Sequence, residues 1–225
     1  MAFKGTKSRD QRSLELEVEN MGAHLNAYTS REQTVYYAKA FKQDVGSAVG
    51  IISDILQNSK LEKQAIERER DVILREQEEV DKQLEEVVFD HLHAVAFAGQ
   101  PLGNTILGPK EHINSIQQTD LQSYIQNNYT ADRMVLVGAG AVDHEELCKL
   151  AEQHFASLPQ SSNPIPLGKA AHAKTVFTGA EVRVRDDTMP TLNVAIAVEG
   201  VGWKSPDYFP MMVLSSIMGN WDRSL

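Results

Sequence analysis

The sequence predicts a mixed α/β chain of the α+β type, in which a mainly antiparallel sheet packs on helices, and three observations carry that expectation. Residues 24–29 and 33–41 are rich in Tyr, Val, Thr and Leu around the polar Ser30, Arg31 and Glu32, the pattern of a hairpin with a short connection. Residues 61–98 contain neither proline nor glycine and therefore support one or two long helices. Residues 133–138 read as a buried strand, and a helix over 143–157 opened by an Asp cap follows.

The remaining elements fill in around these. Over residues 10–20, Leu14 and Val18 stand at i,i+4 between charged residues and Gly22 follows, which predicts an amphipathic helix with a glycine stop. Residues 44–57 return to helical spacing through Val45, Val49, Ile52 and Leu56. A loop is expected over 99–109 and a short helix over 120–128. Three of the eight prolines fall in residues 158–175 with Ser, Asn and Gly, so this stretch reads as an interdomain linker. Beyond it, strands over 181–185 and 191–199 and a helix over 206–219 are expected to begin a new unit. The domain expectation is therefore 1–158, a linker at 159–175, and 176–225. Both ends read as cut, which predicts a piece of a longer chain.

Composition narrows the function classes. With 225 residues, 42% of them hydrophobic and 24% charged, the chain can bury a core, and its longest apolar runs are far shorter than the ~20 residues of a membrane span. A net charge of -9 repels phosphate backbones, so nucleic acid is not an expected partner, and it suits cationic ones. Residues 62–90 concentrate that charge, with eleven acidic against five basic side chains. The single Cys148 excludes an intrachain disulfide and a cysteine zinc site and reads as a small core residue.

Glu69 and Glu76, seven residues apart, project from one helix face, where two carboxylates can present a metal ligand and an outer partner. Solvated charge paired with Arg70 and Arg75 is the plainer alternative at that spacing. Glu86 and Asp90 stand at i,i+4, able to grip one guanidinium from two sides or simply to line a solvated acidic face. His91 and His93 fall on different faces and do not read as a shared metal site. Gly138 and Gly140 sit where a dinucleotide loop would, but Asp143 occupies the third glycine position and would oppose a pyrophosphate.

Several long runs carry a resemblance: Met1-Ala-Phe-Lys-Gly-Thr6, residues 19–37, residues 67–76, residues 86–90, Ile106-Leu-Gly-Pro109, residues 196–203 and residues 219–224. In these the chain resembles the inverted-motif zinc metallopeptidases, in the branch of mitochondrial presequence-processing beta-type subunits. The resemblance implies two homologous halves, each a mainly antiparallel sheet packed on helices, and both are expected to be incomplete here. It implies a zinc peptidase whose His-x-x-Glu-His motif supplies two ligands and the general base. That motif is absent from these residues and is expected just before Met1, so no catalytic base is expected in the chain and the piece itself is expected to be inactive.

By motif match, Glu76 is the implied third metal ligand and Glu69 its outer-shell neighbour. Glu86 and Asp90 match the acids that hold the arginine two residues before the cut, and Phe3 matches the pocket for the side chain just after it. Asn26, Ala27 and Tyr28 match the strand edge that takes the peptide. The implied partners are an alpha-type subunit in a heterodimer and basic presequence peptides, in the mitochondrial matrix or peripheral on the inner membrane. An alternative implied by the same family is a core subunit of ubiquinol–cytochrome c reductase, with a structural or dual role and that complex's subunits as partners.

Overall fold

Asp10 begins the first helix: its side chain accepts the Ser13 N–H at 2.7 Å, the N-cap bond that satisfies one orphan donor of the first turn. The computed structural model describes residues 1–165 and 174–219. Helix α1 (Gln11–Asn20) ends at Gly22, whose φ of 61° is the left-handed conformation that glycine adopts without strain. Strands β1 (His24–Thr29) and β2 (Thr34–Lys39) form an antiparallel hairpin in the register His24↔Lys39 to Thr29↔Thr34. The Ser30 hydroxyl holds the connection by accepting the Gln33 N–H at 3.1 Å.

Helix α2 (Val45–Gln57) supplies the centre of the core. Ile51 and Ile55 pack with Leu14 of α1, all three at most 2% exposed, and Phe3, Val18, Leu25 and Tyr36 cover them. The expected 61–98 helical stretch divides into α3 (Lys63–Val80) and α4 (Leu84–Ala96), broken by a turn at 81–83. A short helix α5 (Lys110–Ser115) follows Pro109 at its N-cap, where the missing N–H of proline is no loss. Helix α6 (Gln118–Asn128) carries a capping box between Gln117 and Asp120, and α7 (His144–Phe155) starts at Asp143, whose carboxylate accepts the Glu146 N–H at 3.1 Å. Helix α7 packs on α2, where Ser53 Oγ and Gln57 Nε2 both donate to the His154 carbonyl at 2.8 Å. The last described element is α8 (Tyr208–Met218).

Three expected strands are corrected. Residues 133–138, 181–185 and 191–199 form no ladder, and the hairpin is the one sheet among the described residues. Val135 is 81% and Ile196 90% exposed, so apolar side chains of these stretches face solvent. A strand exists only when a neighbour satisfies its N–H and C=O groups, and no described residue provides one. Cys148 is likewise half-buried on α7, with its Sγ 3.5 Å from His144 Nε2, and is not a core residue. The buried cluster is instead Leu14 of α1 with Ile51 and Ile55 of α2.

The early part of the expected linker is fastened. Asp132 accepts the Ser161 N–H at 2.9 Å, the Ser161 hydroxyl at 2.7 Å and the Ile165 N–H at 3.2 Å, and the Ser161 bonds foremost hold its carboxyl well below the usual range. The rest of that stretch, residues 166–173, and the last matched run, from residue 220 onward, lie outside the described residues. Among the described residues, no helix is long and apolar enough to cross a membrane.

Candidate functional site

Only Ala65 and Ile66, at the start of helix α3, are buried, so its later turns are free to present carboxylates. Glu69 and Glu76 are two turns apart, about 10.5 Å along the axis. Their surroundings differ. Glu69 is half-buried, with Oε2 3.2 Å from Lys4 Nζ and Oε1 3.5 Å from the Met1 amino group. Glu76 is exposed and has no hydrogen bond or ion pair among the described residues. Helix α3 is held from behind by Arg70, which donates to the carbonyls of Ile113 and, at 2.9 Å, Ile116, and by Gln77, whose Nε2 donates to the Gly108 carbonyl at 2.9 Å.

The segment that brings Lys4 to Glu69 is anchored one layer down. Asp54 of α2, buried, accepts hydrogen bonds from Thr6 Oγ1 at 2.6 Å, Ser8 Oγ at 2.7 Å, Arg9 Nη1 at 2.8 Å and Asn58 Nδ2 at 2.9 Å. Burial alone would raise the Asp54 pKa, but these donors together outweigh it and hold the carboxyl below its ordinary value. Arg9 also bridges to Glu17 at 2.6 Å, the bond that does most to push its pKa up.

On α4, Glu86 is exposed and without a partner among the described residues, whereas Asp90 is half-buried and ion-paired. Its partner is Arg31 Nη2, from the turn of the hairpin. The Arg31 side chain is 16% exposed, and its Nε is buried with no acceptor. The polar Ser30-Arg31-Glu32 triplet reads from sequence only as a connection. Nothing in local spacing marks a contact across 59 residues, so the Arg31 partner of Asp90, like the Lys4 partner of Glu69, is a residue that sequence reasoning missed.

The other expected site residues are placed as follows. Asn26 and Tyr28 point to solvent from β1, Ala27 is half-buried, and β1 pairs only with β2 among the described residues, leaving its other edge open. The Ala27 N–H is taken by the Asn26 side chain, Oδ1 at 2.8 Å. Phe3 packs against the Leu14, Ile51 and Ile55 cluster. The structure thus brings Arg31 to Asp90 and Lys4 to Glu69, and Glu76 and Glu86 remain as unpartnered carboxylates.

The comparisons with known proteins bear on this arrangement. Residues 1–110 match the family model "Insulinase (Peptidase family M16)", and residues 115–225 match "Peptidase M16 inactive domain". The chain belongs to the M16 peptidase family. It is 76% identical over 226 residues to the mitochondrial-processing peptidase subunit beta of Lentinula edodes, covering all of this chain and 48% of that protein. Identity to the proteins of the same name from Blastocladiella emersonii and Homo sapiens is 63% and 58%, again over the whole chain and over 47% and 45% of theirs. The chain therefore spans about half the length of the curated relatives it matches. A crystal structure of a protease from Helicobacter pylori shares the fold, with a TM-score of 0.67 at 21% identity over 73% of this chain and 40% of that one.

An M16 metallopeptidase implies a metal. Among the described residues no group of three His, Cys, Asp or Glu side chains could hold one. What the described residues of this M16 chain offer is Glu76, one of the unpartnered carboxylates of helix α3, which fits one position of a metal site and does not complete it.

Proposed function

We propose that the M16 protein to which this chain belongs is the beta-type subunit of a heterodimeric, zinc-dependent endopeptidase that removes basic targeting presequences in the mitochondrial matrix. The observation that carries the reading is the acid pair of α4. Asp90 already takes one guanidinium, and Glu86, one turn before it, has no partner among the described residues, so together they suit a peptide arginine. The acidic face of residues 62–90 supports a cationic substrate, and the names of the relatives at 76%, 63% and 58% identity agree.

In this reading Glu76 is one zinc ligand, and Glu69, fixed by Lys4, is an outer carboxylate that steadies it. The zinc, when bound, supplies Lewis-acid polarisation of the scissile carbonyl and an activated water. The open edge of β1 at Asn26, Ala27 and Tyr28 receives the peptide as an added strand, with the Asn26 side chain yielding the Ala27 N–H to it. Phe3 backs the pocket for the residue after the cut from its seat on the core. The partner is an alpha-type subunit. Residues 1–158 form the N-terminal unit, 159–175 a linker and 176–225 the start of the second, a division supported by the packing of α7 on α2.

The test is cleavage of a basic presequence peptide by the full-length protein co-purified with its alpha-type partner. Cleavage at one site, abolished by a chelator and restored by zinc, is expected. A folded, zinc-loaded heterodimer that leaves the peptide intact contradicts the reading. Recovery only within ubiquinol–cytochrome c reductase, without cleavage, favours the structural alternative.

A further inference from the structure

The hairpin and α4 are joined by one hydrogen bond among the described residues, from Arg31 Nη2 to Asp90 Oδ1. The Arg31 end of that bond is set by the backbone. The Ser30 N–H donates to the Gln33 carbonyl at 2.8 Å, and the Ser30 hydroxyl accepts the N–H groups of Glu32 at 3.3 Å and Gln33 at 3.1 Å. The turn is therefore rigid, and it projects Arg31 into a largely covered position, 16% exposed. The bond uses one carboxylate oxygen, so Asp90 Oδ2 has no partner among the described residues, and neither has Glu86.

An incoming arginine can either displace Arg31 from Asp90 or share the carboxylate with it. Displacement would strand a covered guanidinium whose Nε already lacks an acceptor, and an unpaired buried charge is strongly unfavourable. Sharing leaves every charge matched: two carboxylates face two guanidiniums, where two carboxylates with one external arginine alone would leave an excess negative charge.

We propose that Arg31 is a positioning residue for arginine recognition: it holds Asp90 by Oδ1 so that Oδ2, with the Glu86 carboxylate, receives the arginine of a bound peptide. The inference rests on the reading of Glu86 and Asp90 as the arginine site. Because Arg31 sits in the turn between β1 and β2, the same bond fixes the distance from the strand edge that pairs with the peptide backbone to the acids that read its side chain. Arg31 thereby sets which residue of the peptide, counted from the strand-paired segment, is the one tested for a guanidinium.

The test measures binding of a fluorescein-labelled basic presequence peptide, by anisotropy, to the full-length heterodimer with its metal chelated so that no cleavage occurs. The same peptide with citrulline in place of the key arginine is the control. Arg31→Ala is expected to weaken the arginine peptide by about 10-fold, the loss of one oriented charge-assisted contact, and to leave the citrulline peptide unchanged. Arg31→Lys, which keeps a cation near Oδ1 but loses the planar guanidinium, is expected to recover only part of that loss. Tighter binding of the arginine peptide to Arg31→Ala would mean that Arg31 is a competitor, and equal weakening of both peptides would mean that it only supports the hairpin. Either result overturns the proposal. Asp90→Asn separates the two levels. If Asp90→Asn removes the arginine preference and Arg31→Ala does not, the positioning role alone fails. If neither variant changes the preference, the acid-pair reading fails and takes the inference with it.

Discussion

Helices α3 and α4 are successive, acidic and largely exposed, yet each sorts its two key carboxylates in the same way. On α3 the chain's own cation, Lys4, holds Glu69 and leaves Glu76 unpartnered; on α4 Arg31 holds Asp90 and leaves Glu86 unpartnered. The difference lies in the cation and in what carries it. Lys4 is a flexible ammonium at 3.2 Å on a segment tied down through Asp54, whereas Arg31 is a planar fork on a tight turn and largely covered. A compact point charge can adjust as a neighbouring metal ligand shifts. A rigid fork fixes an oxygen in place, as recognition of another fork requires. In the proposed reading, the internal cations divide the acidic surface into two sites of different character.

The largest expected effect that sharpens this comparison is Glu76→Gln. Loss of a direct ligand should exceed the roughly 10–100-fold that outer-shell changes cause in metal affinity, and zinc content and kcat/KM of the full-length heterodimer should fall together. Glu69→Gln removes only the outer carboxylate and should weaken zinc binding by about 10-fold, measured by competition with a chromophoric chelator. An effect as large as that of Glu76→Gln would break the distinction drawn between the two residues of α3.

A smaller effect is expected at the Asp54 cluster that anchors the segment carrying Lys4. Asp54→Asn keeps the shape of the buried cluster but gives Thr6, Ser8 and Arg9 a weaker acceptor, at about 1–3 kcal/mol of stability near neutral pH by urea denaturation. Because the folded-state pKa of Asp54 lies below its unfolded value, the unfolded chain binds more protons in the window between them. Its contribution is complete above about pH 4 to 5 and is lost as the pH falls through the depressed folded value, so the gap between variant and wild type should narrow in acid. A gap that is constant with pH would place the anchor of the Lys4 segment elsewhere.

Much of this was legible in the sequence because it is local. The Asp10 and Asp143 caps, the Gly22 stop, the hairpin and the α3 and α4 region follow from residues within a few positions of one another. The strands expected at 133–138, 181–185 and 191–199 carry equally clear signals, a continuous apolar run over 134–137 and alternation through Val182, Val184, Val194 and Ile196, but β structure needs a partner that no local pattern supplies. Helix α5 went unread because six residues after Pro109 are too few for a periodic signal. In the site, the carboxylates announced themselves by spacing along single helices. Their cations did not, since Lys4 lies 65 residues from Glu69 and Arg31 lies 59 from Asp90, distances that only the fold closes.

The most direct test of the division between α3 and α4 is a paired cleavage assay on the full-length heterodimer, using one presequence peptide with arginine and one with citrulline two residues before the cut. Glu76→Gln should depress kcat/KM for both peptides by the same factor, whereas Glu86→Gln combined with Asp90→Asn should depress only the arginine peptide, by roughly 10–100-fold, and leave the citrulline peptide as the wild type has it. Equal loss on both peptides from the α4 double variant, or a loss confined to the arginine peptide from Glu76→Gln, would contradict the account.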